Sequence, residues 1–199
     1  MTDHEIEDLI RAYLRSSAIV KQQAAETCHR EIARAAGVLA ASLLNGGKIL
    51  LCGNGGSAAD CQHMAAEFVS LLDVDFDRPA LPAIALTTDT SVLTAHANDI
   101  GFERIFARQI QALGKAGDVL IAISTSGKSR NVVAAVREAQ KGSIKTIALT
   151  GERGLIGAEP ELTICVPSRD TGHIQEAHSA IEHVLCWLVE QHLYSGKLT

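Results

Sequence analysis

The sequence predicts an α/β domain: a single doubly wound, five-stranded parallel sheet flanked by helices, preceded by two N-terminal helices. Three observations predict it. Short unbroken apolar runs recur along the chain, and they alternate with stretches of helical period. The first and third runs each lead into a loop, rich in glycine or in hydroxyl residues, that opens a helix. Apolar runs of this kind are strands buried on both faces, which requires helices on both sides of a parallel sheet.

Residues 4–45 read as two helices. Leu9, Ile10, Tyr13, Leu14, Ala18 and Val20 fall on a helical period in the first, and Ile32, Ala36, Leu39, Ala40 and Leu43 in the second. Gly46 and Gly47 stop the second helix, as glycine does just past a C-terminus. Lys48–Cys52 is the first strand and Ser57–Leu71 a helix, which its alanines mark as a buried element. Asp73–Asp77 reads as an exposed loop before the second strand, Leu81–Leu86. Residues 89–113 are mainly helical, with a break near Asn98–Gly101. Asp118–Ile123 is the third strand and Ser129–Gln140 a helix. Ile144–Leu149 and Leu162–Val166 are the fourth and fifth strands, and 173–194 a long terminal helix. No repeat or low-complexity linker interrupts this order. Residues 1–199 therefore read as one domain, a helical N-terminal extension over 1–45 and an α/β core over 46–199.

A chain of 199 residues, 47% hydrophobic and 21% charged, suffices for one full core and is too apolar for disorder. The net charge of -5 comes without a basic stripe, which argues against nucleic acid as a partner. No apolar run approaches the about 20 residues that span a bilayer. The acidic start, Met1 to Glu5, is unlike a signal peptide. Cys28, Cys52, Cys61, Cys165 and Cys186 fit no CxxC pattern and read as mostly buried thiols of a reducing cytoplasm.

In a doubly wound sheet, ligands bind outside the carboxyl ends of the strands at the switch point, so chemistry is sought after strands one and three. After the first comes Cys52-Gly-Asn-Gly-Gly-Ser-Ala58, whose glycines let backbone N–H groups approach an anion at a helix start. Gly53, Gly55 and Ala58 also match the loose dinucleotide fingerprint. That fingerprint needs an acidic residue ending the second strand, and Asp73 and Asp75 precede it. After the third strand comes Ser124-Thr-Ser-Gly-Lys-Ser129, four hydroxyls and a glycine that can surround a phosphate. Ala122 stands where a nucleotide P-loop needs glycine. Helix capping explains one hydroxyl there, not four.

His63 and Glu67 lie four apart, on one face of the helix after the glycine loop. A carboxylate with an imidazole can move protons or bind a metal. On the terminal helix, Gln175 and His183 are eight apart and so roughly on one side. Spacing does not choose between His178 and His183. His4, His29, His96, His173 and His192 have no distinctive partner in the sequence, and Trp187 reads as core or subunit packing.

Residues 52–67, 93–102, 123–129 and 174–178, in this order, give a chain that resembles the sedoheptulose 7-phosphate isomerases throughout its length, a SIS-domain family with a flavodoxin-like core. The resemblance implies that Asn54, Gly55, Gly56 and Ser57 contact the sugar phosphate and that Ser124, Thr125, Ser126 and Ser129 hold the phosphate. It places Asn98 and Asp99 at the sugar end. It implies one zinc ion per subunit on His63, Glu67, Gln175 and His183, with Glu67 as general base and His183 as general acid, and so favours His183 over His178. His63, Glu67 and Gln175 then also touch the substrate. The implied reaction turns sedoheptulose 7-phosphate into D-glycero-D-manno-heptose 7-phosphate through an enediol, the first step toward nucleotide-activated heptose for the cell envelope, such as lipopolysaccharide. The family is cytoplasmic and tetrameric, with sites between subunits and the leading helices packed in the assembly. Relatives often carry a basic residue after the Glu67 segment, where this chain runs Phe68-Val-Ser-Leu-Leu72, with a slightly longer acidic loop behind it. A non-catalytic sugar-phosphate-binding scaffold, such as a replication-initiator-binding protein, is the alternative from the same fold. Such a protein lacks the acid/base pair, and both Glu67 and His183 are present here.

Overall fold

The computed structural model describes residues 1–195. Five parallel strands, β1 (Ile49–Cys52), β2 (Ala83–Ala85), β3 (Val119–Ser124), β4 (Lys145–Gly151) and β5 (Leu162–Val166), form one sheet in the order β2-β1-β3-β4-β5. Alternate side chains divide between two cores. Ile49, Leu51, Ile121 and Leu149 face α1 (Asp3–Leu44), α2 (Gly56–Val69) and α6 (Thr171–Tyr194). Leu50, Leu120 and Ala148 face α4 (Ile105–Leu113) and α5 (Arg130–Lys141), while α3 (Thr90–Asp99) lies outside with no buried residue. Sheet and cover follow the expectation from the apolar runs.

The N-terminal segment corrects the sequence reading. It is one helix of 42 residues, not two. Thr2 and Glu5 close a capping box at its start. Val20, Ala24, Cys28, Ile32, Ala35 and Leu39 then form a continuous buried stripe through the polar middle. Small Ala24 and thiol-bearing Cys28 carry that stripe where a search for large apolar residues finds a gap. The first turns bury nothing: Leu9, Tyr13 and Leu14 are 58%, 46% and 62% exposed. From there α1 leans on α6, where Tyr13 and Ser17 donate hydrogen bonds to the Glu176 carboxylate, Tyr13 at 3.0 Å.

Other boundaries shift by a few residues. β2 is three residues because Pro82 has no N–H to give at the start of an edge strand. The break in 89–113 falls at Ile100–Arg104, where Gly101 takes φ +128 and a short 3-10 turn follows. The helix after β1 is less buried than its alanines suggest. It sinks one stripe (Ser57, Asp60, Cys61, Met64, Phe68), whereas Ala59 and Ala66 face outward.

The strand order reverses between β1 and β3, which pair from Ile49↔Val119 to Cys52↔Ala122. The two loops marked in the sequence therefore leave the sheet side by side at its carboxyl edge.

Candidate active site

The loop after β1 is shaped by its glycines. Gly55 sits at φ +58 and ψ -123, a region closed to side chains. A Cβ on Gly56 would lie 2.3 Å from the Gln175 amide, so α6 packs directly on the start of α2. Among the described residues no side chain caps α2, and the N–H groups of Ala58 and Ala59 turn back to Gly55 O, so Gly56 and Ser57 carry the N–H groups available to an anion.

In the loop after β3, the Ser124 and Ser129 hydroxyls are 3.0 Å apart, and Ser126 Oγ accepts from Lys128 N at 3.2 Å. Ser129 holds the N-cap position of α5 yet makes no capping bond. Its hydroxyl points into the loop instead. A cavity of about 200 Å³ opens beside this loop, lined by Thr125, Ser126, Lys128, Arg153 and Arg169 among others. It lies toward the ends of β4 and β5 and does not include His63 or His183.

The two loops are tied by a pair that spacing could not reveal. Asn54 Nδ2 donates to Asn131 Oδ1 at 2.9 Å, and Asn131 Nδ2 donates back to Asn54 Oδ1 at 2.8 Å. Asn131 is buried in the first turn of α5. The only sequence signal is an amide beside the apolar Val132-Val133 at a helix start.

His63, Glu67 and His183 converge. His63 Nε2 is 2.9 Å from His183 Nε2 and 3.5 Å from Glu67 Oε1, and one donor atom from each residue fits within 4.8 Å of the others. The second carboxylate oxygen of Glu67 is buried and has no hydrogen-bond partner among the described residues. Gln175 lies on α6 with its amide against Gly56 and 3.5 Å from Asp60, which sits one turn before His63. Asn98 and Asp99 end α3. The Asn98 amide donates to the Asp99 carboxylate at 2.8 Å, and among the described residues neither bonds to the loops or to the histidines.

The two histidines that spacing did not separate lie in different surroundings, His183 beside His63 and His178 in the core. His178 is fully buried and holds Thr150 O through Nε2 at 3.1 Å, and burial pushes its pKa down to about 4. It is a neutral core histidine. Next to His183, Glu182 is buried with neither oxygen bonded among the described residues, and burial, reinforced by Asp60, pushes its pKa up to about 8. Burial likewise raises Asp60. Asp60, one turn before His63, and Glu182, next to His183 in the chain, are thus acids whose charged forms are disfavoured. Sequence reasoning did not single out Asp60 or Glu182.

A parallel sheet with this switch point, an uncapped glycine loop and a ring of hydroxyls define a SIS domain, and the SIS domain family model matches residues 12–151. The phosphoheptose isomerase of Roseiflexus sp. (strain RS-1) is 50% identical over 182 residues, 91% of each chain. The solved phosphoheptose isomerase from Francisella tularensis superposes with a TM-score of 0.89 at 40% identity, over 96% of this chain and 100% of that one. The phosphoheptose isomerase GmhA from Neisseria gonorrhoeae gives 0.86 at 42% identity, over 94% and 99%. The chain belongs to the phosphoheptose isomerase family.

Proposed function

We propose that this isomerase converts sedoheptulose 7-phosphate into D-glycero-D-manno-heptose 7-phosphate. The observation that carries the reading is the convergence of Glu67 with His63 and His183, on the helix that opens from the glycine loop and on α6, in a chain whose relatives are named phosphoheptose isomerase. The Ser124, Thr125, Ser126 and Ser129 hydroxyls hold the phosphate. Asn54, Gly55, Gly56 and Ser57 present amide and N–H donors to the sugar phosphate. Asn98 and Asp99 meet the sugar end.

The chemistry moves one proton between adjacent carbons. Glu67 takes the proton from C1 of the ketose, and the electron pair forms the enediol with C2. His183 moves the proton between the oxygens, and Glu67 returns its proton to C2. The partly buried carboxylate and the adjacent imidazole divide the roles of base and acid. Two imidazoles and a carboxylate are a donor set that zinc accepts, and one donor atom of each lies within 4.8 Å of the others. When bound, zinc supplies a Lewis acid for the carbonyl oxygen. His63, Glu67 and His183 would hold it, with Gln175 as fourth ligand after its amide turns from Asp60.

We further assign a homotetramer in the cytoplasm, with the N-terminal extension at its interface and the sites between subunits. Exposed Leu9, Ile10, Leu14 and Trp187 support the assembly, and five free cysteines fit a reducing compartment. No described helix is long and apolar enough to cross a membrane. The product would supply heptose for the cell envelope. The scaffold reading has no observation in its favour. Product formation from sedoheptulose 7-phosphate, by wild type beside Glu67→Gln, with and without zinc, tests the assignment. Turnover by wild type alone is expected. A folded wild type inert under every condition would return the scaffold.

A further inference from the structure

Arg78 follows the exposed Asp73–Asp77 turn, yet its side chain is 1% exposed. Its Nε donates to Glu190 Oε1 at 2.7 Å, and the Glu190 side chain is 3% exposed. One terminal nitrogen donates to Phe68 O at 2.9 Å and to Pro79 O at 3.1 Å; the other donates to Glu67 O at 2.7 Å. Glu67 and Phe68 lie in the last turn of α2, whose carbonyls have no donors within the helix. The guanidinium therefore caps α2 from the loop beyond it. Glu190 stands on α6 two turns past His183, on the same side.

A buried ion pair is a poor device for stability alone, since apolar residues of similar volume do as well. Its value is geometric. The planar fork holds several acceptors in one rigid plane, which the freely rotating donors of an ammonium do not. Here those acceptors are the backbone of the residue proposed as base and a carboxylate on the helix that carries the proposed acid. A displacement of about 1 Å at a reacting group can cost roughly 100-fold in rate.

We infer that Arg78 and Glu190 are positioning residues: their buried pair locks the last turn of α2 against α6 and so holds Glu67 in register with His183. The inference rests on the reading of Glu67 and His183 given above.

The test compares full-length Arg78→Lys and Glu190→Gln with wild type and Glu67→Gln, each checked for fold by circular dichroism and for assembly size. Steady-state kinetics on sedoheptulose 7-phosphate and zinc affinity by chelator competition are measured. Both variants are expected to lose about 10–100-fold in kcat with KM within about twofold, because the phosphate loop is untouched. Zinc affinity is expected to fall about tenfold or more. Wild-type kcat and zinc affinity in folded variants, beside an inactive Glu67→Gln, would overturn the clamp and leave the base assignment standing. An active Glu67→Gln would overturn the base assignment and the clamp with it. If kcat and KM worsen together in step with lost thermal stability, or if neither variant folds, the pair is only structural and the inference falls.

Discussion

His63 Nε2 and His183 Nε2 face each other at 2.9 Å, with their rings at 83°. Two imidazole nitrogens this close need a proton or an ion between their lone pairs. With Glu67 Oε1 3.5 Å from His63, the arrangement favours an ion. His63→Ala should weaken zinc binding by more than the roughly 10–100-fold that loss of a supporting group costs. His63 is exposed on α2, so the fold should persist. Chelator competition and metal content give the readout. Unchanged zinc affinity in His63→Ala would remove it as a ligand.

Ser129 separates the two meanings of a hydroxyl at a helix start. Removing a capping serine costs about 0.5–2 kcal/mol, or roughly 2–4 °C in Tm per kcal/mol for a chain of this size. Ser129 makes no capping bond and faces Ser124. Ser129→Ala should therefore shift Tm by less than about 2 °C and raise KM for the phosphorylated sugar severalfold. Ser124→Ala with Ser126→Ala should act in the same direction. A large drop in Tm with KM unchanged would restore the capping role. Equal turnover of the dephosphorylated sugar by wild type would end the phosphate assignment.

The strands were legible because both faces of the sheet are covered. Leu50, Leu51, Leu120 and Ile121 are all buried, so apolar runs survive without alternation. The hydroxyl loop was legible because four such residues exceed what a cap uses. His63 and Glu67 were legible because a helix makes them neighbours. What stayed hidden was carried by contacts between distant segments. Asn131 acts through Asn54 across the switch point, and Arg78 through Glu190, 112 positions away. Arg78 directly follows Asp73–Asp77, the stretch that reads as an exposed loop, and nothing in its neighbours marks it as buried. The continuity of α1 was lost because Ala24 and Cys28 are too small to register as a core stripe.

Asn131 is the link between the two ligand loops, so its loss should appear in binding as well as in stability. Asn131→Ala removes the two bonds to Asn54 and the one that Asn131 Oδ1 accepts from Val132 N, at a buried position, which costs about 1–3 kcal/mol. KM should rise more than kcat falls, because the glycine loop loses its tie to the hydroxyl loop while His63, Glu67 and His183 keep theirs. Denaturant melts and steady-state kinetics measure the two effects. Lost stability with KM and kcat intact would reduce the pair to packing.

His178, being buried, works against the folded state in acid. Its pKa is about 4 in the folded chain against 6.5 for a free histidine, and burial is the cause. Above pH 6.5 the group is neutral in both states and contributes no pH dependence. As pH falls from 6.5 toward 4, the unfolded chain binds a proton that the folded chain refuses, so stability declines. The difference amounts to on the order of 3 kcal/mol at the bottom of that window. His178→Gln keeps a donor for Thr150 O and removes the titration. Between pH 6.5 and 4, its unfolding free energy should fall less steeply than that of wild type, with the two curves parallel above 6.5. Curves that stay parallel down to pH 4 would mean that His178 is protonated in the folded protein and that its buried environment has been misjudged.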